Sequence, residues 1–232
     1  MNGHPTAIIV PALLAYGQET DANGKDFLES YIVGVETASL LGRCVCPESF
    51  IRGWHCTAVM GLFGAVAALG KLRRFSESEL AAAFSIAASE ASGIKANLGS
   101  PVKPFHCGRS AQKAIEIAEL AACGCSGNLD AIEAHTGLGT LIAGKVDVSA
   151  VMKAIHDKTS VFVSPGMALK PYPSCKRTLN GIEAALSLRE EAGAPANITK
   201  IRCFVQSEAA GEFNGGNTVA VINIFQNAGG PN

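Results

Sequence analysis

The segment Cys56-Thr57-Ala58-Val59-Met60-Gly61-Leu62-Phe63-Gly64-Ala65-Val66-Ala67-Ala68-Leu69-Gly70-Lys71 decides how this chain folds. It is apolar almost throughout and is long enough for roughly four turns of helix. Gly61, Gly64 and Gly70 recur within it although glycine costs a helix stability, so they indicate close approach of neighbouring helices. We therefore predict a helix over residues 56–71 with other helices packed tightly against it.

Apolar residues recur at helical spacing on both sides of this segment. The further predicted helices cover residues 7–16, 25–41, 110–123, 128–134 and 149–158. Pro11 is expected to kink the first of these helices, because proline removes a backbone hydrogen bond, and Gly42 is expected to end the second. The first two thirds of the chain is therefore predicted to be almost entirely helical.

The clearest local helix signature follows the core segment. Ser76 and Glu79 have the spacing of a capping box, in which each side chain accepts a hydrogen bond from the backbone of the other residue. Phe75 and Leu80 are placed to form the hydrophobic staple that accompanies such a cap. The helix that begins here is expected to end at Gly93.

The pattern changes near residue 162. Residues 167–170 and 198–205 have the pattern of strands, and a helix is predicted between them over 180–191. We therefore predict a mainly α protein, in which a helical main domain of packed, small-residue-rich helices precedes a small α+β (strand-helix-strand) lid. The predicted domain bounds are 1–162 and 163–232.

The bulk composition excludes several function classes. The formal net charge is −1, so there is no basic excess for general nucleic-acid binding. No run of about 18 unbroken apolar residues occurs, so we expect no membrane span. The opening residues Met1-Asn2-Gly3-His4-Pro5 lack the charged start of a secretory signal, which favours a cytoplasmic protein.

The chain has eight cysteines, and their spacing matches no common zinc site. Two pairs have C-x-C spacing, and no matched C-x-x-C pairs are present. The cysteines are Cys44, Cys46, Cys56, Cys107, Cys123, Cys125, Cys175 and Cys203. Because several lie in apolar helical patterns, we favour buried free thiols in a reducing compartment over metal ligands or disulfides.

Polar side chains stand beside the predicted helix entrances. His55 precedes the core helix, and Lys103 and His106 lie in a proline-stiffened loop before the helix predicted over 110–123. A neutral imidazole can move a proton near neutral pH, and a lysine beside helix N-terminal amides attracts a carboxylate. From the residues alone, a locally hydrogen-bonded histidine and a solvated lysine explain the same pattern at least as well.

Two further segments place a polar residue next to proline. His4-Pro5 opens the first helix, where a capping role is the plain interpretation. Lys170-Pro171-Tyr172-Pro173-Ser174-Cys175 has the composition of a stiff turn. The sequence contains no H-E-x-x-H motif, no P-loop and no G-x-G-x-x-G motif, so no metal-binding or nucleotide-binding motif accompanies these residues.

The order of these segments resembles the MmgE/PrpD family of 2-methylcitrate dehydratases, cis-aconitate decarboxylases and iminodisuccinate epimerases. The resemblance rests on Gly53-Trp54-His55-Cys56-Thr57, on the 84–93 segment Phe-Ser-Ile-Ala-Ala-Ser-Glu-Ala-Ser-Gly, on Lys103-Pro104-Phe105-His106-Cys107-Gly108 and on the Lys170 segment. It implies a cofactor-free lyase that contains no metal, acts on a small di- or tricarboxylate and forms a homodimer.

The resemblance also implies a role for each candidate residue. His55 would donate or accept a proton, and His4 would orient the substrate or transfer a proton. Lys103 and Lys170 would clamp substrate carboxylates, with Lys103 in the catalytic set and Lys170 and Tyr172 closing the site from the smaller domain. His106 would support the loop or contact the substrate.

Three departures from the family pattern support an alternative. The chain is about half as long as typical members and begins at the His-Pro motif, after an expected D-x-D-D-like acidic segment. Leu179 stands after Thr178 where the family usually has histidine, and residues 211–232 depart from the pattern. The alternative is a truncated, catalytically silent relative that acts as a binding or interaction protein. An epimerase that uses the same proton chemistry is a third reading.

Overall fold

The computed structural model describes residues 3–174 and 176–192, and these residues are mainly helical. The chain divides into two compact units, Met1–Met167 and Ala168–Asn232. The helices of the first unit are α1 (Thr6–Glu19), α2 (Gly24–Val45), α3 (Glu48–Ile51), α4 (Cys56–Arg73), α5 (Glu77–Glu90), α6 (Val102–Ala122), α7 (Leu138–Ala143) and α8 (Val148–His156). The described part of the second unit contains α9 (Lys176–Ser187) and α10 (Arg189–Ala192).

Helix α4 is the core of the first unit, as the sequence predicts. Every residue from Cys56 to Gly70 is buried, and α1, α2, α5 and α6 all pack against this helix. Among the described residues, α4 is the one helix whose length and composition would also suit a membrane span. A buried core helix has the same length and apolar composition, and 83% of α4 is buried inside the protein.

The glycines of α4 allow the close helix contacts that the sequence indicates. A Cβ atom on Gly64 would lie 2.7 Å from the carbonyl oxygen of Gly34 in α2 and 3.0 Å from the Cβ of Ala38. A Cβ atom on Gly34 would in turn lie 2.6 Å from the carbonyl oxygen of Gly64. Real Cβ contacts are not this short, so α2 and α4 can approach as they do only because both positions are glycine.

The predicted capping box at the start of α5 is confirmed. The Ser76 hydroxyl accepts a hydrogen bond from the Glu79 backbone N–H at 3.3 Å, and the Glu79 carboxylate accepts one from the Ser76 N–H at 2.8 Å. Phe75 and Leu80 both reach Gly70 of α4, which joins the start of α5 to the core. The helix ends at Glu90, so Gly93 lies three residues beyond it.

Helix α6 begins at Val102, eight residues earlier than predicted. Pro101 occupies its N-cap and Pro104 its first turn. Proline is tolerated there because the first backbone N–H groups of a helix have no acceptor within the helix. The prediction that Lys103 and His106 lie in a loop is therefore wrong: both are helical, and their i, i+3 spacing places them on neighbouring positions of one face.

Three other local predictions are also wrong. Gly42 does not end α2, which continues to Val45 because Gly42 is buried against neighbouring helices, where packing outweighs glycine's low propensity. Residues 128–134 form turns, since the Leu138 N–H bonds the Ala131 carbonyl and the chain doubles back. Residues 167–170 form no strand, because nothing in the described part of the chain pairs with them.

The remainder of the predicted lid is tested only in part. The helix predicted over 180–191 is present as two helices. Helix α9 begins before residue 180, and Leu188 separates it from α10. The strand predicted over 198–205 lies outside the described residues. The mainly helical fold class is confirmed. The strand-helix-strand lid is not shown, because its first predicted strand is absent from residues 167–170, and the domain bounds at 162/163 stay a prediction.

Candidate active site

The N-terminal ends of three long helices meet in the first unit, and each carries a histidine. His4 precedes α1, His55 is the N-cap of α4, and His106 lies in the first turns of α6. His55 contacts His106, and Thr57 at the start of α4 contacts His4. The N-terminal end of each helix carries partial positive charge, so this meeting point favours an anion.

A short pairing of extended backbone holds His55 in place. The His55 N–H donates to the Gly93 carbonyl at 3.0 Å, and the Lys95 N–H donates to the Gly53 carbonyl at 2.7 Å. Gly93 has a φ of +122°, and a Cβ there would lie 3.0 Å from Ala58 and 3.4 Å from the His106 ring. Glycine is therefore needed at 93 both for the backbone conformation and for room beside the histidines.

His55 and His106 form a direct pair. Their Nδ1 atoms are 3.1 Å apart, so one nitrogen carries a hydrogen and donates it to the other. The exposed fraction of His55 is 4%, whereas His106 is half-buried. The pair fixes the orientation of the His55 ring and uses its Nδ1, which leaves Nε2 for other chemistry.

The surroundings of His55 keep its imidazole neutral. Burial, followed by the charges of His106, Lys103 and His4, lowers the pKa of His55 from 6.5 to about 4. The three neighbours are all positive when protonated, so the electrostatic environment of His55 is cationic. A neutral imidazole with a free nitrogen in such a site can accept a proton.

This lowered pKa predicts a specific dependence of stability on pH. Below pH 6.5 the unfolded chain protonates His55 while the folded chain does not, so the stabilisation is complete above that pH and is lost as the pH falls toward 4. The loss amounts to about 3 kcal/mol. Urea unfolding of wild type and His55→Gln from pH 7 to pH 4 measures it: the variant should lose about that much less stability.

The exposed His135 provides the matched control for this measurement. His135→Gln should retain the wild-type pH profile, because a solvent-exposed ring loses little hydration on folding. If His55→Gln and wild type have parallel profiles, His55 is not held neutral by the fold.

Lys103 supplies a cation at the same place. Its side chain is half-buried, and its charge acts on both His55 and Cys107. Within the described residues it makes no side-chain hydrogen bond or ion pair, in contrast to Lys113 of the same helix, which bonds Glu90. A half-buried ammonium group without a local acceptor is suited to binding an anionic ligand.

His4 is tied to the start of α4 through Thr57. The Thr57 hydroxyl accepts a hydrogen bond from the His4 backbone N–H at 3.1 Å and lies 3.5 Å from the His4 Nδ1. Thr57 is buried and His4 is exposed, so the ring reaches solvent while its backbone is anchored. Thr57 belongs to the motif that contains His55, but no role of its own is predicted for it from the sequence.

Lys170 and Tyr172 belong to the second unit and make local contacts there. The Lys170 ammonium donates to the Ser174 carbonyl at 2.9 Å, and the Tyr172 hydroxyl donates to the Glu183 carboxylate at 2.8 Å. The hydrogen bond to Glu183 raises the pKa of Tyr172. The predicted approach of these two residues to His55 stays a prediction.

Of the predicted site residues, the structure thus brings together His4, His55, Lys103 and His106. It adds two residues to which the sequence analysis gave no site role, Thr57 and Gly93. In the sequence, Gly93 has the position of an ordinary helix stop signal. Its backbone pairing with His55 in the structure is what makes it a site residue.

Comparison with known proteins finds a family and two relatives that this chain resembles. Residues 1–151 match the MmgE/PrpD N-terminal domain. Human cis-aconitate decarboxylase is 28% identical over 192 residues, which cover 81% of this chain and 40% of that protein. The cis-aconitate decarboxylase-like protein oryM of Aspergillus oryzae is 32% identical over 101 residues, or 40% of this chain and 21% of that protein.

The chain thus matches less than half the length of these two relatives, while the family domain covers all four histidine and lysine positions at the meeting point of α1, α4 and α6. On this match, the chain belongs to the MmgE/PrpD family.

Proposed function

We propose that this chain is a cofactor-independent lyase that dehydrates or decarboxylates a small di- or tricarboxylate, with cis-aconitate as the first substrate to test. The observation that carries the proposal is the buried, neutral His55 inside a cationic site formed by three helix N-terminal ends. The names of the two relatives suggest the substrate.

The charge of the site suits such a substrate. Lys103 places a positive charge near His55, and His106 and His4 add positive charge when they are protonated. A di- or tricarboxylate supplies the missing negative charge and also accepts hydrogen bonds from the N-terminal amides of α4. Burial is the main cause of the lowered pKa of His55, and nearby positive charge adds to it; binding of the anion offsets that charge, so the ligand should raise this pKa and favour proton uptake.

Proton transfer at His55 Nε2 is the chemical step that the geometry supports. In dehydration, the neutral ring takes a proton from the carbon beside a carboxylate, the carbon–oxygen bond breaks as the double bond forms, and the ring then gives this proton to the departing hydroxide, which leaves as water. In decarboxylation, the electron pair of the broken carbon–carbon bond remains on the substrate and takes a proton from the protonated ring. Negative charge builds up on the substrate in both reactions, and the positive ammonium group of Lys103, which lies near His55, stabilises that charge.

The proposed roles of Lys170 and Tyr172 are in binding substrate carboxylates, and a homodimer in the cytoplasm is proposed as the working form. The test measures binding and turnover separately. Calorimetry with cis-aconitate in two buffers of different ionisation enthalpy should show binding with proton uptake near neutral pH. Carbon dioxide release from cis-aconitate and water loss from 2-methylcitrate then report the reaction.

Lys103→Met should weaken cis-aconitate binding by about 10- to 100-fold, because a charge-assisted hydrogen bond contributes about 1.5–3 kcal/mol. Lys153→Met removes an exposed lysine from α8 and should leave affinity unchanged. Binding without turnover of either substrate would support a silent binding protein. Equal affinity of the Lys103 variant and wild type would overturn the proposed site.

A further inference from the structure

A second cluster of reactive groups lies beside the histidines and takes no part in the proposed chemistry. Cys46 caps the C-terminal end of α2, Ser49 lies in α3, and Cys56 is the first residue of α4. The two sulfur atoms are 3.7 Å apart, and the Ser49 hydroxyl is 3.4 Å from each of them. We refer to Cys46, Ser49 and Cys56 as the thiol cluster.

We propose that the thiol cluster is an oxidation site, at which a hydroperoxide converts Cys46 and Cys56 into a disulfide. Both residues are free thiols in this structure. The inference goes beyond the proposed lyase function and does not depend on it, because it rests on the geometry and surroundings of two thiols that the proposed lyase chemistry does not use.

The two cysteines differ in the way that such a reaction needs. Cys46 is half-buried and open to a small oxidant, whereas Cys56 is 1% exposed and reachable chiefly from Cys46. Contact with the Cys56 thiol, and then with the Ser49 hydroxyl, lowers the pKa of Cys46 to about 6 despite its partial burial. Contact with Cys46 and burial raise the pKa of Cys56. The pair therefore loses its first proton from Cys46, and the thiolate is the reactive form.

The reaction balances in two steps. The Cys46 thiolate attacks one oxygen of hydrogen peroxide, so an S–O bond forms, the O–O bond breaks, and hydroxide leaves and takes up the thiol proton as water. The Cys56 sulfur then attacks the sulfenic acid on Cys46, so an S–S bond forms, the S–O bond breaks, and a second water carries off the Cys56 proton. The two thiols lose two electrons, and the peroxide gains them.

The disulfide would connect the end of α2 to the start of α4, next to His55. The sulfur atoms must approach from 3.7 Å to a bonding distance of about 2 Å, which places the movement in these two side chains and the segment between them. Because Cys56 directly follows His55, an NMR signal from the His55 ring should shift when the bond forms.

The test is a peroxide titration of the whole chain at neutral pH, followed by alkylation and peptide mapping. We expect a linked peptide that joins Cys46 to Cys56, with Cys46 lost about tenfold faster than the exposed Cys123 and Cys125. In Cys56→Ser a hydroxyl group can still donate to the Cys46 sulfur but cannot form a disulfide, so Cys46 should accumulate as a sulfenic acid that dimedone traps. A circular dichroism spectrum establishes that this variant is folded.

Cys44→Ser is the matched control, since Cys44 is also half-buried but its thiol pKa is raised by burial and by the nearby Asp147 and Glu133. This variant should form the Cys46–Cys56 bond at the wild-type rate. Linkage of Cys46 to Cys44, or oxidation of Cys123 and Cys125 while Cys46 remains reduced in wild type, would overturn the proposal.

Discussion

His55→Gln is expected to lower kcat for carbon dioxide release from cis-aconitate by about 10²- to 10⁴-fold, the usual contribution of a positioned acid or base. Glutamine is of similar length and can still bond the His106 ring, but it cannot carry a proton in the reaction. KM should change little, because the carboxylate contacts proposed for Lys103 remain. Steady-state kinetics with purified variant and wild type measure both constants.

Two further variants show whether the loss comes from proton transfer. His106→Asn removes the ring that orients His55 through its Nδ1, so kcat should fall by a smaller factor and its pH dependence should shift. His135→Gln, at an exposed position, should keep full activity. A His55→Gln enzyme that retains most of its kcat would remove His55 from the reaction, whatever its effect on stability.

The parts of the fold that the sequence predicts correctly are those with local signals. The capping box at Ser76 and Glu79 is complete within four residues, and α4 is apolar along its whole length. Neither needs knowledge of a distant partner. His55 could be selected from its motif, but its neutral state could not, because that state depends on burial in the folded chain and then on His106, which lies 51 residues away.

The parts that fail depend on tertiary contacts or on an ambiguous signal. Pro101 and Pro104 are read as loop residues, although proline is equally suited to the first turn of a helix, and the choice decides where Lys103 and His106 lie. Gly93 has the position of a helix stop, but its φ and its missing side chain serve the His55–His106 pair. The thiol cluster joins three elements and has no sequence signature.

Gly64→Val is expected to lower the free energy of unfolding by about 3 kcal/mol or more, a large share of the stability of a typical domain. The added Cβ would meet the Gly34 carbonyl oxygen at 2.7 Å, and this backbone atom cannot move aside by rotating a side chain. The two additional methyl groups enlarge the overlap. Urea unfolding followed by circular dichroism measures the loss. The free energies of unfolding of the variant and the wild type are compared at the same pH, above 7.

Gly108 provides the matched control for this prediction, because it is a glycine inside α6 with no atom within 4 Å of its missing Cβ. Alanine in a helix is favoured over glycine by about 1 kcal/mol, so Gly108→Ala should stabilise the chain. Gly64→Ala gains the same helix propensity but must separate α2 from α4, so the net change should have the opposite sign. Equal stabilisation by both substitutions would mean that α2 and α4 do not touch at Gly34 and Gly64. That result would contradict the close packing of α4 against α2.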